Sequence, residues 1–445
     1  MKLGLGLGVN SITSQKTSAA FTGILDEFTG AAAAYSVRRL SSTYTGDAMK
    51  VRRSSDDTIQ DIGFNSSGNL DTSALLSFVG GGDGHVVRWY SQSGAVDTYT
   101  SDFSSGVDSF SATNNNSVTR VASVTDDHGT TVNNVLKLNC DNTNNDEHVA
   151  RKNNPLPTTG SIANLTLKCS FKMLVPTSNT TLTRAAISNG SQSTSGIVEG
   201  GKVTEKGRWV QFTDVAWTQV SSQPRIIFMG LNSSDVATFS ATADDHFFIA
   251  DIVLTQTRDS YNDTAAEQPK IVDSGALVTV NSNAGIDFDG SDDFFAGAAK
   301  TTIANTAIFC VIKSDSNTQD SVFIQNAVDG SNLVALGLGG LDTVSELGSR
   351  LKVGGSNIDS AGGGFTATTQ TLVSFFADNS ACQLFIDGTE ETVSVASRSS
   401  GTNTAIGAKG DGNNPFNGKI QEVIFYDSDE SGKRTDIEAN INNYF

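Results

Sequence analysis

The sequence predicts an all-β chain in which one β-domain is interrupted by the insertion of another. Three observations carry this. The 445 residues are 37% hydrophobic and only 18% charged, with 24 Phe and 43 Gly. Short alternating apolar segments are separated by Gly, Asn, Asp and Ser turns, without sustained helical periodicity. The segment GHVVRWY, residues 84–90, reads as a buried strand closed by the turn SQSG at 91–94. Its matching continuation begins only at Gln268, with QPKIVDSG and then IDFDGSDDFF ending at Phe295. The resulting division is a docking arm at 1–29, a first sandwich part at 30–102, an insert at 103–259 and a second sandwich part at 260–445.

In chain order, LGLGLGV places Leu3, Leu5, Leu7 and Val9 on one apolar edge, with glycines keeping the backbone open. Such an arm is suited to adding a strand to a partner's sheet. GAAAAYSVRRL, 30–40, predicts a short helix. AMKVRRSSD predicts a strand with Met49 and Val51 inward and Lys50 and Arg52 outward. Asp71 is an N-cap for the helix TSALLSFVG, with an apolar face of Ala74, Leu75 and Phe78. The insert offers ANLTLKCSFKMLV, GRWVQFTDVAWTQ, PRIIFMGL and DDHFFIADIVLTQ as strands of period two. In the second sandwich part, CQLFIDGTEETV predicts a hairpin turning at Asp387-Gly388. RTDIEANINNYF predicts a terminal helix with Ile437, Ile441 and Tyr444 on one face.

The net charge of −18 argues against nucleic-acid binding, which needs Lys and Arg to neutralise phosphates. No apolar run approaches the roughly 20 residues that span a bilayer, so membrane insertion is not expected. The start MKLGLGLGVNS is too short in its apolar part and too rich in glycine for a secretion signal. Cys140, Cys169, Cys310 and Cys382 lack framework or metal spacing. They read as free core thiols of a chain folded in a reducing cytoplasm.

The stretches AAAAYSVRRLSSTYTGDAMKVRRSSDDTIQDIGF, LDTSALLSFVGGGDGHVVRWYSQSG, QPKIVDSG and IDFDGSDDFF resemble a module common in bacteriophage tail-fibre and other virion structural proteins. They are similar, more remotely, to the catalytic domain of the arabinofuranosidase B family. The resemblance implies a concanavalin A-like (LamG-type) lectin sandwich. The order of the insert's strands, ending in FFIADIVLTQ, resembles a carbohydrate-binding jelly roll. Together these imply a virion protein, folded in the host cytoplasm and exposed on the particle. Its arm would join other virion proteins, its modules would contact host surface glycans, and it would form a homo-oligomer. The alternatives are a decoration or head-fibre protein without sugar binding, or a secreted arabinofuranosidase-like hydrolase.

Chemistry is sparse in the sequence. The family's YDQSG turn reads YSQSG here, with Ser91 in place of the acid, and the family's disulfides have no counterpart. His85, His128, His148 and His246 are isolated, and no nucleophile or phosphate-loop motif occurs. The expectation is therefore a binding protein and not an enzyme. Core packing is the default reading of Trp209 and Trp217, and the alternative is that one of them faces outward as a sugar-stacking platform, which makes them the candidate carbohydrate-binding residues. Calcium is the candidate cofactor, with Asp251, Asp287 and Asp289 as ligands and Asp292 and Asp293 beside them.

Overall fold

The computed structural model describes residues 21–114, 116–140, 145–156, 166–219, 225–242, 244–297, 305–316, 321–329, 332–338, 347–353, 356–359, 368–377, 382–391, 403–409 and 412–445. Leu3, Leu5, Leu7 and Val9 lie outside the described residues. The fold is all-β, built from antiparallel sheets.

The outer sandwich has two layers. In the first, Ile59–Ile62, Met49–Arg53, Gly84–Trp89, Ser260–Tyr261, Phe295–Gly297, Asn403–Ile406 and Ser321–Asp329 pair in that spatial order. In the second, Ala31–Ser36, Asn417–Tyr426, Thr306–Ser314, Gln370–Ala377 and Cys382–Ile386 do the same. Trp89, Phe288, Phe295, Phe375 and Phe425 fill the space between them. Each such side chain contributes about 1.5–3 kcal/mol on burial.

The outer side of the second layer is apolar too, and helices cover it. Ile24 and Leu25 of the short helix Ile24–Glu27, then Phe28, pack with Ile437 and Ile441 of Arg434–Tyr444 over Phe309, Phe376 and Tyr426. The last part of the expected arm thus belongs to the chain's own core. No helix among the described residues is long and apolar enough to cross a membrane.

The expectation of a helix in 30–40 is corrected. Ala31–Ser36 is a strand buried along its whole length. Ala33 and Tyr35 face the inter-layer core and Ala34 faces the helices, so packing on both sides overrides the helical preference of alanine. Other local signals hold. Asp71 Oδ1 accepts the Ala74 N–H at 3.0 Å and caps Thr72–Val79. Asp387 and Gly388 take φ of 48° and 79°, as a tight hairpin turn requires.

The insert has its own core of Phe171, Phe228, Phe247 and Trp217, with Cys140 and Cys169 among them. Val210–Thr218, Thr166–Leu174, His246–Thr257, Thr131–Asn139 and Ser117–Thr125 form one sheet. A five-stranded sheet is centred on Arg225–Leu231, and Thr238–Ser240 pairs separately with Asn145–Glu147. Val96–Ser101 pairs with His246–Thr257, so this strand joins the insert's sheet. All four cysteines are free and buried.

Where the chain leaves the sandwich and returns, the two crossings are tied by a buried carboxylate. Asp259 Oδ1 accepts the Ser91 N–H at 3.0 Å across 168 residues, and Oδ2 accepts the Thr257 hydroxyl at 2.8 Å. Burial raises the pKa of this carboxyl, with the nearby Arg88 guanidinium opposing the shift.

Candidate functional site

Antiparallel partners share a face, so register decides which side chains meet. On the inward face of the first layer, Met49 lies between Ile62 and Trp89. One residue along, the outward face carries Asp61, Lys50, Arg88 and Tyr261 as successive cross-strand neighbours. Ala296, Ala405 and Gln325 continue the row. Asp61 is exposed and Lys50 half-buried, whereas Arg88, Tyr261, Ala405 and Gln325 are buried, so the row reaches solvent at its Asp61 end.

The exposed end of this row is held by specific contacts. Tyr90 donates its hydroxyl to Asp61 Oδ1 at 2.7 Å, and Lys50 Nζ lies 3.8 Å from the same oxygen. The Arg88 guanidinium sits 5.9 Å from the Tyr90 ring centre. Tyr44 donates to the Asp47 carbonyl at 2.8 Å and meets Phe64 edge-on. Burial raises the pKa of the Asp47 carboxyl, the Asp61 charge adds to the rise, and Lys50 opposes it. Tyr44 and Tyr90 are both held protonated, mainly by burial.

Tyr44 also borders a cavity of about 430 Å³ shared with Asp26, Ser41, Thr43, Gln92, Ser93 and Gly94. The SQSG turn forms one wall. Gln92 is locked in place, accepting the Leu40 N–H at 2.7 Å and donating to the Arg38 carbonyl at 2.9 Å. A cavity of this size with an aromatic edge, hydroxyls and neighbouring carboxylates suits a polyhydroxylated ligand. Asp47 and Asp61 add two carboxyl groups of unlike environment, the pattern from which acid–base roles are made.

The residues singled out from sequence are placed elsewhere. Trp209 is 8% and Trp217 6% exposed, and each indole N–H is already engaged. Trp209 Nε1 donates to the Val124 carbonyl at 3.3 Å and Trp217 Nε1 to Gln219 Oε1 at 3.0 Å. Both tryptophans pack in the core, as the default reading had it, and neither offers an exposed stacking face. Asp251 pairs with Lys172 at 2.7 Å and Asp287 with Lys419 at 3.0 Å, and neither joins the close cluster around Asp289. Asp289 does gather with Asp292 and Asp293, their carboxylate oxygens within 4.8 Å of one another. Burial, then the charges of Asp289 and Asp292, push the Asp293 carboxyl up to about 7, opposed by its hydrogen bond from the Asp289 N–H.

Asp61, Tyr90, Tyr44 and Asp47 were not anticipated. The alternation of 49–52 gave Lys50 outward. The pairing that brings Asp61 to it is invisible along the chain.

With this geometry, the comparisons fall into place. The family model described as alpha-L-arabinofuranosidase B, catalytic, matches residues 26–153. No curated protein matches the chain. Among solved structures, an arabinofuranosidase complexed with arabinofuranosyl-alpha-1,2-xylobiose is 12% identical, with a TM-score of 0.42. That alignment covers 94% of this chain and 64% of the other, so the chain spans less than two thirds of that enzyme's length. Domain 4 of an extracellular arabinanase from Geobacillus stearothermophilus, in complex with arabinotriose, is 18% identical, covering 40% of this chain and 81% of that one at a TM-score of 0.28. Mouse laminin alpha1 domains LG4-5 are 11% identical, covering 64% and 86% at a TM-score of 0.26. None of these three is a virion protein. The match of residues 26–153 to a catalytic family overturns the expectation that the chain is not an enzyme. What the chain carries is a remote arabinofuranosidase-like, carbohydrate-binding type of fold.

Proposed function

We propose that the protein is carbohydrate-active and engages arabinofuranose-bearing glycans at the outer face of its sandwich. The observation that carries the reading is the row Asp61–Lys50–Arg88–Tyr261 running beside the Tyr44 cavity. Asp61, Lys50, Arg88 and Tyr44 all fall within the residues matched by the catalytic family. Hydroxyl-rich substrates suit this face, because carboxylates accept from sugar hydroxyls while Lys50 donates to ring and linkage oxygens. Asp47, its carboxyl raised by burial and by the Asp61 charge, and Asp61 are the carboxyl groups at hand for proton transfer.

In the same reading the protein is carried on a bacteriophage particle, attached through the stretch that holds Leu3, Leu5, Leu7 and Val9 and directed at host surface glycans. That placement draws on the sequence resemblance to virion modules. Calcium, where it is held, would sit at Asp289, Asp292 and Asp293, whose oxygen ligands suit a hard cation.

The deciding experiment measures binding to arabinan and arabinoxylan alongside turnover of an aryl arabinofuranoside. Tyr44→Ala and Asp61→Asn should each weaken polysaccharide binding by tenfold or more, and Asp61→Asn should abolish any turnover. Wild-type affinity in both variants would remove this face from consideration.

A further inference from the structure

The insert's larger sheet splits where its longest strand changes partner. His246–Thr257 pairs with Thr131–Asn139 as far as Ile249, and with Val96–Ser101 from Ile252 onward. Between the two, Asp251 takes a φ of 51°, at a bulge against Thr166–Leu174 between Ser170 and Lys172. The chain beyond Ser101 turns away from the sheet, with Phe103 and Asp108 also in the left-handed region at 52° and 46°. Phe103 closes the opening from within. Its ring is buried against Phe110 at 5.6 Å, and its carbonyl accepts from Arg120 Nε at 2.7 Å.

Outside this plug lies a cavity of about 490 Å³, between residues 100–108 and 251–253. Its lining is mainly polar, and Val253, 39% exposed although it lies in a strand interior, supplies the apolar part of its floor. Asp102, Asp108 and Asp251 stand around it, with Ser105 on the loop side.

The charges are already balanced in part. Lys172 Nζ holds Asp251 Oδ2 at 2.7 Å, and Lys152 Nζ lies 3.6 Å from Asp108. Tyr99 also donates its hydroxyl to Asp108, and the Ser104 N–H donates to Asp102 Oδ1 at 2.9 Å. Lysine-paired carboxylates compete poorly for a divalent cation, and three acids repel an anion. Asp251 Oδ1 and Asp102 Oδ2 remain as acceptors beside the apolar part of the floor. That combination takes a neutral molecule with several hydroxyl donors and one C–H face.

We propose that this split in the insert's sheet is a binding site for a neutral glycan. The cavity is within the size range of ligand sites and open at the surface, so a short segment of a longer chain could enter. The site stands apart from the sandwich's Tyr44 cavity and does not depend on the reading given to that face.

The test titrates the full chain with xylohexaose, arabinohexaose and cellohexaose by calorimetry. Ser105→Trp fills the mouth from an exposed loop position, and Asp251→Asn keeps a residue that tolerates the left-handed backbone. Melting curves matching wild type establish that both variants fold. At least one oligosaccharide should bind, and both variants should weaken that binding tenfold or more. The same titrations in a Tyr44→Ala background should show the same loss from Ser105→Trp and Asp251→Asn, which separates this site from the sandwich's. Three results overturn the proposal: full affinity in Ser105→Trp, no heat with any of the three sugars at millimolar concentration, or binding that EDTA abolishes, which would make this a cation site.

Discussion

The sandwich and the insert treat their polar-tipped aromatics in opposite ways. In the sandwich, Tyr44 and Tyr90 stay half-exposed, their hydroxyls tied to Asp47 and Asp61. In the insert, Trp209 and Trp217 are buried, their indole N–H groups turned onto Val124 and Gln219. Tryptophan is the better stacking surface in principle, yet here it is core. The position of a ring within its sheet, rather than its chemical type, decides whether it can meet a ligand.

This contrast can be broken first at its foundations. In the sandwich, Arg38 grips Glu422 at 2.7 and 2.9 Å, and Ser36 donates to the same carboxylate at 2.7 Å. Glu422 is wholly buried. Glu422→Ala leaves a guanidinium buried without its partner, at a cost of about 3–5 kcal/mol. Calorimetry should show the sandwich's transition falling while the insert's stays in place; equal shifts in both would mean the two cores unfold as one.

Trp217→Ala is the converse experiment. Emptying a core site of this size costs about 3–5 kcal/mol, somewhat less where the site collapses. The insert's transition should drop, with arabinan affinity at the sandwich face unchanged. A loss of affinity without a loss of stability would return Trp217 to the list of sugar contacts.

The smallest effect concerns pH. Asp293 has a pKa of about 7 in the folded chain against about 3.9 unfolded, so the native state binds its proton more tightly. The stability this proton contributes is fully present below about pH 4 and is lost as pH rises through 7. Asp293→Asn should flatten that slope. Carboxyl titration by NMR checks the premise directly, and a value below 5 would refute it.

Much of the fold was legible because its signals are local. The Asp71 cap, the Asp387-Gly388 turn and the apolar strand ending in Trp89 each need only neighbouring residues. Ala31–Ser36 was not legible, because its partner Asn417–Tyr426 lies at the other end of the sequence and four alanines favour helix until both faces are covered. The site was hidden for the same reason. Lys50 could be read as outward, but its neighbours Asp61 and Arg88 are set by register across three strands. The acidic cluster was half legible: Asp289 sits with Asp292 and Asp293 because the Gly290 turn folds them together, whereas Asp287 faces Lys419 on the adjoining strand.

The carboxylate of Asp259 on the Ser91 N–H has a consequence for the order in which the molecule assembles. Closing a flexible loop of 168 residues costs about 4–5 kcal/mol in chain entropy. Once the insert is folded, Val96–Ser101 lies beside the end of His246–Thr257, which brings the two crossings to about one strand spacing, ~4.8 Å. The sandwich then meets an ordinary short connection between Gly84–Trp89 and Ser260–Tyr261. During synthesis the insert emerges complete before residue 260, so it can act as a template that delivers the returning strand to its waiting neighbour. Slowing the insert's folding would accordingly slow the sandwich, even though the two cores share no side chains.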